Sequence, residues 1–163
     1  MQKLLDKTGS QIADLWNILP ADFADALPGE HGLAPLSYWQ TKPGGGLNAS
    51  AVGLWLEGDT EAELVADYVA SCECIGIHFA TFMDGRGFSL ARLIRERYAY
   101  TGELRAFGSI IPDQLFFLGR CGFDTFLLDA DHQPDDPSLY LDTFSVRYQT
   151  CSDQARPLFR RRA

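Results

Sequence analysis

CIGIHFATFMDGRGFSLARLIRERY, residues 74–98, decides the fold. Its first part, 74–82, is a short apolar run that reads as a buried strand. Asp84-Gly85-Arg86-Gly87 then makes a tight turn. SLARLIRERYAY, 89–100, follows as a helix, with Leu90, Leu93, Ile94 and Tyr98 on one face. Thr101-Gly102 is placed to stop it.

The same unit recurs on both sides. AVGLWLEG (51–58) is a strand, and Asp59-Thr60 caps the helix TEAELVADYVAS (60–71). ELRAFGSI (103–110) is a strand, and IPDQLFFLGRCG (111–122) a helix with Pro112 in its first turn and Gly122 at its end. FDTFLLDA (123–130) and DDPSLYLDTFSVRYQ (135–149), helical from Pro137, make the fourth pair. Strand and helix thus alternate about every 25 residues, with the short connections that imply parallel strands and right-handed crossovers. The predicted class is α/β: four consecutive βα units on a parallel sheet. A partial TIM-barrel-like arc and an open doubly wound sheet both fit, and the lack of a visible reversal favours the arc.

Upstream, KLLDKTGSQIADLW reads as two short strands around Lys7-Thr8-Gly9, and ADFADAL (21–27) carries helical spacing. LAPLSYWQTK (33–42) reads as a docked edge segment or a single helical turn. Pro43-Gly44-Gly45-Gly46 is the clearest break. The expected division is a lead-in, 1–46, packed on a βα-repeat domain, 47–150, with a tail, 151–163. The tail's Pro157-Leu158-Phe159 and Arg160-Arg161-Arg162 suit either a docked end or a frayed one.

A net charge of −8 argues against general nucleic-acid binding, which needs a basic face. No stretch reaches the roughly 20 apolar residues of a membrane span, and MQKLLDKTGSQIADLW lacks the pattern of a signal peptide. The expected compartment is the cytoplasm, where Cys72, Cys74, Cys121 and Cys151 stay thiols. The charge is uneven: every arginine lies at or beyond residue 86.

In parallel α/β folds the loops after the strands carry the site. The turn Asp84-Gly85-Arg86-Gly87-Phe88-Ser89 is the first candidate. Its glycines permit positive φ and close approach, Ser89 can cap the helix, and Arg86 offers a fork of donors to an anion at a helix start. Equally, Asp84 and Arg86 can simply pair while the glycines make the turn. The spacing matches neither a P-loop nor a dinucleotide fingerprint. Arg92, on the first helical turn, can reach the loop or pair with Glu96, while Arg95 and Arg97 read as a solvated face. Ser109, Asp113 and Gln114 gather at the third strand–helix junction, where the helix dipole alone explains Asp113. Cys72-x-Cys74 is a weak metal pattern, because Cys74 and His78 on one strand face stand about 13 Å apart. Buried or half-buried thiols are expected, with no metal and no cofactor motif.

DGRGFSLARLIRERY, TGELRAFGSI, DQLFFLGRCGFDTF, FSVRYQ and PLFRRR together resemble a bacterial family, domain of unknown function number nine hundred and thirty-four. The resemblance spans roughly residues 33–162. Genes of that family typically lie beside assimilatory sulfite reductase, and some members are labelled probable oxidoreductase. The chain departs from the family in two places. Members commonly read Asp-Phe-Pro where this chain has His78-Phe79-Ala80, and Gly-Asp-Val where it has Gly108-Ser109-Ile110.

The resemblance implies a place in sulfite reduction, not a reaction. The leading expectation is an accessory protein that binds the reductase, an electron donor or an oxyanion through the strand-end loops. The rival is a stand-alone enzyme on a small anionic molecule, with Arg86 and Arg92 as clamp and Asp113 or Asp84 as base. A third is a purely structural interaction module. Exposed sheet edges would suit a homodimer.

Overall fold

The apolar runs that read as strands all join one curled eight-stranded sheet. A computed structural model describes residues 2–24, 28–41, 52–141 and 150. The strands are β1 (Lys3–Asp6), β2 (Gln11–Ile12), β3 (Asn17–Ile18), β4 (Gly32–Pro35), β5 (Val52–Glu57), β6 (Cys74–Phe79), β7 (Glu103–Gly108) and β8 (Thr125–Leu128). The helices among the described residues are α1 (Leu36–Thr41), α2 (Ala66–Val69), α3 (Arg86–Arg97), α4 (Leu115–Cys121) and α5 (Ser138–Leu141). Spatial order is β2-β1-β8-β7-β6-β5-β4-β3. Each neighbouring pair from β3 to β8 is parallel, while β1 runs antiparallel to both β2 and β8. From β3 to β8 the strands follow chain order, so the reversal that a doubly wound sheet requires does not occur there.

Half of these strands come from the stretch expected only to cover the domain. Two short strands around residues 7–9 do form, as β1 and β2, and Asp6 Oδ1 accepts the N–H groups of Thr8 and Ser10 to close their turn. Residues 33–41 form the end of β4, which lies between β3 and β5 and not at an edge of the sheet, and then the short helix α1. The helix read into 21–27 is not found in its described part, 21–24; Pro43–Gly46 lies outside the described residues.

Alternation along each strand divides the sheet into two faces. Leu54, Leu56, Ile75, Ile77, Leu104 and Ala106 pack beneath the helices, meeting Leu90 and Ile94 of α3 and Leu115 and Leu118 of α4. Full burial of each leucine or isoleucine among them is worth about 1.5–3 kcal/mol. On the opposite face Trp55, Cys74, Phe107 and Leu127 form a second, smaller cluster, against which Trp16 and Ile18 of the lead-in pack.

Helix boundaries differ from the sequence reading for physical reasons. The helix expected at 60–71 is a 3-10 turn, Ala62–Val65, running into the four-residue α2. α3 begins at Arg86, three residues before Ser89, so Ser89 lies inside it and caps nothing. It ends at Arg97, before Thr101-Gly102, where Ala99 takes φ 51°. Gly122 does end α4, in the left-handed conformation at φ 108°. Of the helix expected over 135–149, the described part is α5, and 142–149 lie outside the described residues. No helix of the described residues is long and apolar enough to cross a membrane.

Candidate functional site

Parallel strands β5 to β8 bring their carboxyl ends to one edge of the sheet, so the loops that follow them are neighbours. The loop after β6 is held from two sides. Asp84 N–H donates to Thr81 O at 3.1 Å, and Gln114 Nε2 donates to Phe82 O at 2.8 Å. Gln114 Oε1 also accepts the Ile111 N–H, so one side chain ties the β6 and β7 loops together. Ser109 N–H donates to Phe79 O at 2.7 Å, and its hydroxyl to Ala80 O at 3.3 Å. This bracing holds Phe82 and Met83 outward, 54% and 81% exposed. Beside them opens a cleft of about 510 Å³ lined by Ala80, Thr81, Ser109, Ile111, Asp129 and His132.

Arg86 makes the pairing with Asp84 that their spacing allows. Its Nε and Nη2 donate to the two oxygens of Asp84 at 2.9 and 2.7 Å, and Nη1 reaches Asp59 at 3.2 Å. All three guanidinium nitrogens therefore have carboxylate partners. These hydrogen bonds hold the Asp84 pKa down at about 2, and the same contact raises that of Arg86. The positive φ foreseen for the two glycines is absent. Gly85 has φ −81°, and Gly87 is not among the positive-φ glycines. Gly87 is small because α3 crosses β6 closely: a Cβ there would lie 2.7 Å from the Phe79 ring. The glycine serves packing, not ligand approach.

The other predicted residues fall into separate places. Gly85, Ser89 and Arg92 line a hollow of about 400 Å³ between α3 and α4, with Phe88, Phe117 and Arg120. Arg92 Nε pairs with Glu96 at 2.8 Å, the i, i+4 contact read from the sequence. Ser109 lines the strand-end cleft, and Gln114 braces it. Asp113 is exposed in the 3-10 turn before α4. The nine residues thus do not converge on one ligand.

Three features escaped the sequence reading. Arg95 is not a solvated residue: at 15% side-chain exposure it donates to the carbonyls of Tyr100, Gly102 and Gly122 and pairs with Asp124. Arg105, 1% exposed on the opposite face, is held by Glu103 through Nε and Nη2 and by Asp14 at 2.6 Å. Burial works to lower its pKa, but Glu103 and Asp14 outweigh burial and raise it. Glu103 also accepts the Thr125 hydroxyl at 2.7 Å. The third feature is a pair at the strand ends, His78 Nδ1 and Glu57 Oε2, 2.8 Å apart.

The thiols conform to expectation. Cys72, Cys74 and Cys121 are buried, and burial pushes the Cys72 pKa up to about 12, so it does not ionise near neutrality. Cys151 lies outside the described residues.

Comparison with known families gives a single description. A family model described as a bacterial protein of unknown function (DUF934) matches residues 53–159. Comparison with curated proteins finds no match.

Proposed function

The chain belongs to the DUF934 family, and on that premise we propose that it is an accessory protein of assimilatory sulfite reduction that docks on the reductase. The sulfur context is the one implied by the resemblance of DGRGFSLARLIRERY and its companion motifs. What supports a protein partner is the loop after β6. It presents Phe82 and Met83, adjacent and half or more exposed, from a backbone braced by Gln114. A held pair of large apolar side chains beside a cleft is the surface form of a binding hot spot. An oxyanion held by Arg86 is the weaker reading, because that guanidinium already satisfies Asp84 and Asp59.

In this reading residues 47–150 make a partial TIM-type arc of four βα units, which 1–46 extends on both sides with β1 to β4, working in the cytoplasm. The unbroken parallel order from β3 to β8 supports the arc. The sheet ends in two-residue strands, β2 and β3, that a second copy could cover as a homodimer.

Purified sulfite reductase from the same organism provides the test. The wild-type chain should bind it. Met83→Asp should weaken binding by about thirtyfold or more, the loss of a hot-spot contact, without changing the melting temperature. Binding that is absent, or equal in the two proteins, contradicts the proposal.

A further inference from the structure

We propose that His78 is a proton-accepting site for a small neutral or cationic ligand, with Glu57 as its positioning residue. This goes beyond docking on a reductase and does not depend on it.

Glu57 faces His78 across β5 and β6, and His78 faces Phe107 across β6 and β7. The three side chains make one row across the carboxyl ends of three parallel strands, where this kind of sheet presents its chemistry. The imidazole packs on Phe107, ring centroids 5.1 Å apart, and meets Trp55 edge-on. Its Nδ1–H donates to the Glu57 carboxylate at 2.8 Å. In the neutral ring that contact places the proton on Nδ1 and the lone pair on Nε2, the tautomer of a general base.

Nε2 has no hydrogen-bond partner among the described residues, the side chain is 31% exposed, and Nε2 is not one of the buried unpartnered atoms, so solvent touches it. The space around it is kept by Gly108, the next residue after Phe107. Gly108 holds φ 95°, and a Cβ there would sit 3.0 Å from His78 Nε2 and 2.6 Å from Cδ2. Any larger residue would press on the edge of the ring that Nε2 occupies.

Charge at this end of the sheet selects the ligand class. Glu57, Asp59 and Asp84 supply three carboxylates against one guanidinium, Arg86, which is already shared by two of them. The resulting field disfavours small anions and tolerates neutral or cationic molecules with an acidic proton.

Chemical modification tests the proposal against simple exposure. Diethylpyrocarbonate is attacked at its carbonyl by an imidazole lone pair; ethoxycarbonyl transfers to the nitrogen, and ethyl carbonate leaves and breaks down to carbon dioxide and ethanol. His31 and His132 are exposed and His78 is only partly so. Exposure alone therefore ranks His78 last. The proposal ranks it first, by about tenfold, with Glu57→Gln abolishing that lead while the melting temperature holds. A second measurement uses 4-nitrophenyl acetate and the mono-4-nitrophenyl ester of glutaric acid. Nε2 attacks the ester carbonyl, 4-nitrophenolate departs, and water clears the acyl group. Cleavage should be lost in His78→Gln, and the neutral ester should outrun the anionic one. Rates of modification that follow exposure, indifference to Glu57→Gln, ester cleavage unchanged in His78→Gln, or preference for the anionic ester would each overturn it. None of these readouts involves the reductase, so failure here leaves the docking proposal standing, and the reverse also holds.

Discussion

Arg105 and Arg86 are each held by two carboxylates, and they do opposite things. Arg105, with Glu103 and Asp14, is sealed between the sheet and the lead-in at 1% exposure. Arg86, with Asp84 and Asp59, stands in the strand-end loops at 63%. The ion pattern is the same, so its meaning is set by water. Removing one member of a buried cluster strands a charge where nothing solvates it. An exposed cluster loses little, because solvent and salt replace the missing partner. The contrast assigns stability to the interior under the lead-in, and leaves the carboxyl ends of the strands available for recognition.

The sharpest way to break this contrast is Arg105→Ala. It should cost about 3 kcal/mol, because it empties a buried site and leaves Glu103, 27% exposed, with the Thr125 hydroxyl and no cation. That corresponds to a fall of about 10 °C in melting temperature for a chain of this size. Thermal unfolding by circular dichroism reads it, and an unchanged midpoint would mean the cluster is not buried.

A smaller effect is expected at Asp14, whose side chain is partly exposed and which leaves Glu103 in place on Arg105. Asp14→Asn should cost about 1 kcal/mol, and raised salt should narrow the difference.

The smallest is Arg86→Ala, which should lower the melting temperature at neutral pH by only about 1–2 °C, because solvent screens a pair whose guanidinium is 63% exposed. Its mark is instead on Asp84. With Arg86 present, the Asp84 pKa sits at about 2 instead of 3.8. A depressed carboxyl favours the folded state above its ordinary value, and that contribution fades as pH falls through the folded one. Without the Arg86 side chain the Asp84 titration should move up toward the ordinary 3.8 without reaching it, because the residue-86 N–H still donates to Oδ1, and a carboxyl-detected NMR titration reads the move. A titration near 2 in the variant would show that the backbone, not the guanidinium, sets it.

What the sequence disclosed follows the same division between local and distant contacts. Apolar runs and the glycine and proline punctuation placed β5 to β8 and the end of α4, because those signals are read within a few residues. The partners of Arg105 could not be read in that way: Asp14 lies 91 positions away. Arg95 faced a similar limit. Its acceptors are carbonyls of Tyr100, Gly102 and Gly122, which helical periodicity does not count. In the candidate site, the Asp84–Arg86 pair and the Arg92–Glu96 pair were legible from spacing. His78 and Glu57 were not, since they meet only once β5 and β6 are in register, 21 positions apart. The bracing role of Gln114, which reaches 32 positions back to Phe82, was equally hidden. Gly87 was recognised as special but assigned to ligand approach, where the Phe79 ring gives the reason.

Growth of a deletion strain without supplied cysteine measures the central claim, that the apolar tip after β6 and not the guanidinium beside it carries the function. Wild type and Arg86→Ala should both restore growth, while Phe82→Ala with Met83→Asp, folded and equally abundant, should not. Growth restored by the tip variant, or lost in Arg86→Ala, would contradict the account.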